Sequence, residues 1–89
     1  MTTLLLIEDH APLRRNLEDI LTLEGYHVLI AANGPDGLRL ARENQPALIL
    51  CDIMLPGCDG MEILAALRTD PSTVATPFIF LTAKGDPTD

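Results

Sequence analysis

The chain has 89 residues, enough for one small domain, and 47% hydrophobic residues with only three aromatic ones predict an aliphatic core. Six Lys and Arg against 13 Asp and Glu give a net charge of −7, which argues against binding to nucleic acid or an anionic membrane. The apolar stretches are too short to span a bilayer, and the N-terminus lacks the pattern of a signal segment. Two cysteines without a zinc-type partner pair indicate reduced thiols in a cytoplasmic protein.

Four apolar runs of strand length alternate with three stretches of helical spacing. Strands that are apolar on both faces are typical of a parallel sheet covered by helices on both sides. Right-handed crossovers then favour an α/β fold with a doubly wound sheet of strand order 2-1-3-4. The predicted strands cover residues 4–7, 27–31, 47–51 and 77–81.

Local signals place the first two helices. The first is predicted over residues 12–24, with a proline in its first turn and Gly25 as its stop. Asn33 is a suitable N-cap for the second helix, which we expect to begin near Pro35 and to end before Pro46.

The third helix is predicted from a capping box. Asp59 is followed three residues later by Glu62, the arrangement in which two side chains satisfy the backbone at a helix start. We expect this helix to bury Met61, Leu64 and Leu67. The stretch "TDPSTVATP" that follows is rich in turn-forming residues and is predicted to be a loop.

Acidic residues follow two strands that the predicted topology makes neighbours. The first strand runs into "IEDH", which places Glu8 and Asp9 at its tip, and the third runs into "CDIM", which places Asp52 at the adjacent tip. Adjacent strands are about 4.8 Å apart, so these carboxylates crowd one another. Close like charges repel, which raises a pKa or demands a cation, and hard oxygen ligands beside open solvent suit Mg²⁺.

The fourth strand adds a hydroxyl to the same edge of the sheet. It runs into "LTAK", in which Thr82 supplies the hydroxyl, the small side chain of Ala83 leaves the pocket open, and Lys84 supplies the nearest positive charge. A carboxylate beside Mg²⁺ and a hydroxyl donor fits phosphoryl transfer onto aspartate, because aspartate is a covalent nucleophile in reactions of that kind.

Three blocks of the sequence resemble the receiver domain of two-component response regulators. They are "LLLIEDH", "ALILCDIMLPGCDGMEIL" and "PFIFLTAK", and together they span almost the whole chain. The resemblance implies a flavodoxin-like receiver fold. It also implies a Mg²⁺-dependent transfer of a phosphoryl group from a sensor histidine kinase or a phosphotransfer protein, as part of phosphorelay signalling and not as enzymatic turnover.

The resemblance assigns a role to individual positions. Asp52 is the phosphoacceptor, and Glu8, Asp9 and Asp52 hold Mg²⁺ together with the backbone carbonyl of Met54. The other implied positions are the switch and phosphoryl-binding residues Thr82 and Ala83, and the residues that shape the loop after the acceptor, Pro56, Gly57 and Gly60.

The family's domain is longer than this chain. It continues through a fourth helix, a fifth strand and a fifth helix, and its phosphoryl-pairing lysine ends that fifth strand. We therefore expect residues 1–89 to form a receiver domain that is incomplete at the C-terminus, in which Lys84 does not take that lysine's place. An exposed apolar fourth strand would be a template for pairing, so we expect self-association or domain swapping through it.

Two other functions stay open. A Mg²⁺-dependent phosphohydrolase with an aspartyl-phosphate intermediate typically carries a second acid two residues after its nucleophile, where this chain has Met54. An interaction module that does not accept phosphate is favoured by the missing lysine and opposed by the intact acidic set. On the first helix, Arg14 and Arg15 are predicted to be solvated, with kinase docking as the alternative.

Overall fold

Four parallel strands form one sheet in the order β2-β1-β3-β4 within residues 1–81, the part of the chain that the structure, a computed structural model, describes. The predicted doubly wound sheet is confirmed, and each strand boundary lies within one residue of the predicted one. Asp52 was predicted to follow the third strand directly, and it is instead the last residue of that strand. The strands are β1 (Thr3–Ile7), β2 (His27–Ala31), β3 (Leu48–Asp52) and β4 (Phe78–Leu81).

Three helices connect the strands, and their ends follow the predicted signals. Gly25 follows the first helix with a φ of 97°, a left-handed conformation that favours glycine. The side chain of Asn33 caps the second helix by accepting a hydrogen bond from the backbone N–H of Asp36 at 2.8 Å. None of these helices is long and apolar enough to cross a membrane. The helices are α1 (Ala11–Leu23), α2 (Gly34–Asn44) and α3 (Gly60–Arg68).

The main core lies between the sheet and the helices α2 and α3. Alternate residues of β1 and β3 point toward these helices, because successive side chains of a strand face opposite sides of the sheet. The core is aliphatic, as the composition predicts. Its buried members are Leu5, Ile7, Ala31, Ala41, Ile49, Cys51, Ile63 and Leu67.

The predicted buried face of α3 is wrong at Met61, and Leu64 is only partly buried. Met61 is 57% exposed, and the buried residues of the helix are Gly60, Ile63 and Leu67. The capping box at Asp59 makes Gly60 the first helical residue, and positions three and seven residues later share its face. Met61 is rotated by one residue from that stripe and therefore points toward solvent.

The opposite face of the sheet is covered unevenly. Helix α1 contacts β1 and β2 there, and Leu6 of β1 is fully buried. Leu6 is paired in register with Leu50 of β3, and Leu50 with Ile79 of β4, so the three side chains form a row across the sheet. Exposure rises along that row, from fully buried Leu6 through partly buried Leu50 to Ile79 at 51% exposed.

Candidate functional site

The three predicted acidic residues meet at one edge of the sheet. Glu8 and Asp9 follow β1, and Asp52 ends β3, the strand hydrogen-bonded to β1. One carboxylate oxygen from each residue lies within 4.8 Å of the other two. Glu8 is fully buried and Asp52 is 3% exposed, whereas Asp9 is partly exposed. The site therefore opens to solvent on the side of Asp9.

The side chain and backbone of Glu8 are both held in place. Its backbone N–H donates to the carbonyl of Ala31 on β2 at 3.0 Å, which extends the sheet pairing by one residue beyond β1. Its carboxylate oxygen Oε2 accepts a hydrogen bond from the backbone N–H of His10 at 3.0 Å. The turn between β1 and α1 therefore holds the buried carboxylate of Glu8 in a fixed orientation.

Arg14 is a residue of this site that the sequence analysis placed wrongly. It is half-buried, and its Nη1 donates a hydrogen bond to the backbone carbonyl of Glu8 at 2.9 Å. Helical side chains lean toward the N-terminus of their helix, so a long side chain in the first turns of α1 reaches back over the preceding loop. This preferred direction of helical side chains is the signal from which the contact of Arg14 with Glu8 could have been predicted. Arg15, its neighbour, is exposed as predicted.

Close backbone packing joins the start of α3 to the end of β3. The N–H of Gly60 donates to the carbonyl of Ile53 at 2.7 Å. A Cβ atom on Gly60 would lie 2.7 Å from the carbonyl oxygen of Asp52 and 2.8 Å from the ring of Phe80, so no larger residue fits without displacing backbone. Gly57, in the loop between them, has a φ of 74°. Both glycines of the predicted loop-shaping set thus meet a backbone constraint.

A buried thiol lies directly beside the acceptor position. Burial raises the pKa of the Cys51 thiol from its ordinary 9.0 to about 12, and the negative charge of Asp52 acts in the same direction. Its Sγ donates to the carbonyl of Asp52 at 3.1 Å. Cys51 is therefore a protonated core residue and not a nucleophile.

The donor set at the cluster suits a small hard cation. Three carboxylate groups within 4.8 Å of one another repel, and a cation between them removes that repulsion. Mg²⁺ prefers oxygen ligands and keeps several waters, so a few carboxylates beside open solvent fit its chemistry. The residues present therefore fit the predicted metal.

Two other predicted site residues, Met54 and Pro56, lie exposed in the loop that follows β3. The side chain of Met54 is 71% exposed, and the role of its carbonyl stays a prediction. Pro56 is exposed in the loop before Gly57. Thr82 and Ala83, predicted to form the switch and phosphoryl-binding positions, lie outside the described residues, as does Lys84.

The sequence matches the family model described as the response regulator receiver domain over residues 4–89. The chain belongs to this family. It is 48% identical over 89 residues to the transcriptional regulatory protein AfsQ1 of Streptomyces coelicolor, covering all of this chain and 38% of AfsQ1. These matches confirm the family that the three sequence blocks predicted. Phosphotransfer from a histidine kinase is the general function of receiver domains.

Solved receiver structures share the fold of this receiver domain. The N-terminal domain of a response regulator receiver protein from Methanoculleus marisnigri JR1 matches with a TM-score of 0.89 and 33% identity, over 94% of this chain and 68% of that one. The receiver domain of the sensor histidine kinase PA1611 from Pseudomonas aeruginosa PAO1 matches with a TM-score of 0.89 and 31% identity, over 93% and 68% of the two chains. Its structure contains a magnesium ion coordinated in the active-site cleft.

Proposed function

We propose that this receiver domain accepts a phosphoryl group on Asp52 in a Mg²⁺-dependent reaction. The observation that carries the proposal is the convergence of Glu8, Asp9 and Asp52 within 4.8 Å at the carboxyl ends of β1 and β3. Ligands of doubly wound sheets bind at such edges. Magnesium in the cleft of the related PA1611 domain supports the same metal here.

Asp52 is the proposed nucleophile because it combines a carboxylate with a fixed position. It is paired with Leu81 across the sheet, and its own carbonyl abuts Gly60, so its backbone is held on both sides. An oxygen of its carboxylate attacks the donor phosphorus, forming a phosphorus–oxygen bond while the phosphorus–nitrogen bond of a phosphohistidine breaks. The histidine nitrogen leaves with the electrons of that bond.

Glu8 and Asp9, with Asp52, would hold Mg²⁺, and the backbone carbonyl of Met54 is the proposed fourth protein ligand. The bound ion would supply positive charge for the phosphoryl oxygens. Buried Glu8 has the smaller freedom to move, whereas partly exposed Asp9 faces the side from which a donor enters. Glu8 would therefore fix the position of the ion, and Asp9 would bind it on the side that is open to the phosphodonor.

The test is the intact mass of the chain after incubation with phosphoramidate, with and without Mg²⁺. We expect a Mg²⁺-dependent gain of one phosphoryl group in the wild type and none in Asp52→Asn. Asp59→Asn is the matched control, because it removes a nearby carboxylate outside the cluster while asparagine still caps a helix. The control should gain the group as the wild type does.

The same experiment separates the alternatives. A wild type that gains no phosphoryl group would favour the interaction module that does not accept phosphate. Rapid turnover with release of inorganic phosphate would favour the phosphohydrolase. We propose that the chain is a regulatory acceptor and not an enzyme, because Met54 stands where that hydrolase class carries its second acid.

The proposed phosphodonor is a sensor histidine kinase or a phosphotransfer protein, in the cytoplasm. Both cysteines are free thiols, which suits a reducing compartment. The net charge of −7 supports a segment that does not bind nucleic acid directly. The chain spans 38% of the length of AfsQ1. We further propose self-association through β4, whose exposed Ile79 is described above.

A further inference from the structure

We propose that Arg14 is a positioning residue that holds Glu8 in the orientation needed to bind Mg²⁺. The proposal rests on the metal site proposed above and concerns a residue that itself contacts neither the metal nor the phosphoryl group. Its observable consequence is that removing Arg14 weakens Mg²⁺ binding, although it also removes a positive charge near three carboxylates.

Arg14 is bonded to the turn between β1 and α1 at two points. Its side-chain Nη1 donates to the carbonyl of Glu8 at 2.9 Å, and its backbone N–H donates to the carbonyl of His10 at 2.9 Å. The second is the ordinary backbone bond of a helix start, so only the first is lost when the side chain is replaced. Arg14 is half-buried, so the side-chain bond is partly shielded from competing water. Hydrogen bonds from a charged donor are also stronger than neutral ones.

The side-chain bond of Arg14 adds to the backbone bonds that hold the turn around the Glu8 carboxylate. The backbone N–H of His10 donates to Oε2 of Glu8, so Arg14 is bonded both to the residue that carries the carboxylate and to the residue that orients it. The N–H of Glu8 is held separately by Ala31. Without Arg14, the carbonyl of Glu8 loses its charged partner, and the peptide that follows Glu8 gains freedom to rotate.

Two effects of losing Arg14 oppose each other, and their difference makes the proposal testable. Loss of a nearby positive charge strengthens the attraction of the cluster for a cation. Loss of an outer-shell contact that orients a metal ligand typically weakens metal binding by about 10–100-fold. A charge-only role therefore predicts tighter Mg²⁺ binding, whereas a positioning role predicts weaker binding.

The first measurement is Mg²⁺ affinity by isothermal titration calorimetry for the 89-residue chain and three variants. For Arg14→Met we expect affinity lower by about tenfold, at the modest end of outer-shell effects. Arg14→Lys keeps the charge and one donor and should recover part of the loss. Arg15→Met is the matched control, since it removes the same charge from an exposed neighbouring position, where screening keeps the change within about twofold.

The second measurement is hydrogen exchange of the His10 amide in the metal-free chain. That amide is bonded to Oε2 of Glu8, so it should exchange faster in Arg14→Met and at the wild-type rate in Arg15→Met. Circular dichroism establishes that each variant is folded. If Arg14→Met does not fold, the same comparison between Arg14→Lys and Arg15→Met decides the proposal.

The outcomes are distinct. Unchanged or tighter Mg²⁺ binding by a folded Arg14→Met, or an unchanged His10 exchange rate, would overturn the positioning role and leave the metal site intact. A wild type that binds no Mg²⁺ would overturn the metal site itself and the positioning role with it.

Discussion

Neighbouring residues of the same type have different roles in this domain, according to burial. Arg14 is half-buried and bonded to the carbonyl of Glu8, whereas Arg15 is exposed. Cys51 is fully buried beside Asp52, whereas Cys58 in the following loop is partly exposed. The two members of each pair are the same amino acid, so their different chemistry comes from their different exposure to solvent.

The two thiols should differ in reactivity for that reason. The pKa of Cys51 is raised to about 12, first by burial and then by the charge of Asp52, and thiolate is the reactive form. In the native protein at pH 8 we expect iodoacetamide to modify Cys58 alone. Because burial, Glu62 and Asp59 also raise the pKa of Cys58, it should react more slowly than free cysteine.

Mass spectrometry after timed labelling measures both rates, and the urea-unfolded chain supplies the reference in which both thiols react. Cys58→Ala should remain unmodified while native, and Cys51→Ala should label as the wild type does. Native labelling of Cys58→Ala at the unfolded rate would show that Cys51 is not protected by the core.

At the scale of elements, the capping box at the start of α3 sets the position of a residue that packs against the candidate site. The capping box at Asp59 and Glu62 fixes the first residue of the helix, and Gly60 then packs against the carbonyl of Asp52. Both capping hydrogen bonds measure 2.9 Å. The helix start therefore stabilises the segment that follows the acceptor.

Removing that cap should destabilise the domain. For Asp59→Ala we expect a loss of about 1 kcal/mol in the free energy of unfolding, the usual effect of deleting an N-cap side chain. In a domain of this size that loss lowers Tm by about 4–8 °C. Thermal unfolding followed by circular dichroism provides the measurement.

The control for this prediction is Glu62→Gln, which keeps the oxygen that accepts from the N–H of Asp59. Its Tm should stay close to that of the wild type. Equal stability of Asp59→Ala and the wild type would mean that packing of Ile63 and Leu67 alone sets the start of α3.

At the scale of the whole molecule, the two faces of the sheet are unequal. The face under α2 and α3 holds the buried cluster, whereas on the face under α1 no residue of α1 itself is buried. On that second face Ile79 is 51% exposed, and among residues 1–81 its strand pairs only with β3. An apolar, unpaired edge strand is a template for association.

We therefore expect the chain to associate in solution and Ile79→Lys to shift it toward monomer. A lysine on an edge strand opposes strand pairing, because its charge would be desolvated in the interface. Sedimentation velocity over a range of concentrations measures the effect. Met61→Lys, at a residue that is 57% exposed on α3, is the matched control and should associate as the wild type does. A monomeric wild type at every concentration would contradict this expectation.

Much of the fold could be predicted from short-range patterns. The four strands, the cap at Asn33 and the capping box at Asp59 each depend on residues within a few positions of one another. The burial of Met61 was predicted wrongly, because the rotation of a helix depends on where its first residue is fixed. Thr82 and Ala83 lie outside the described residues, and their roles stay predictions.

The sequence by itself determined the order of the elements, the parallel sheet and the identity of the acidic residues, because apolar periodicity and strand-end position are local properties of the chain. The sequence also predicted that Glu8, Asp9 and Asp52 lie close together, but only the tertiary structure decided their separation, within 4.8 Å, and that Arg14 turns back to Glu8. Distances between residues far apart in sequence depend on strand register and helix direction. Those follow from packing of the whole domain and not from any short segment.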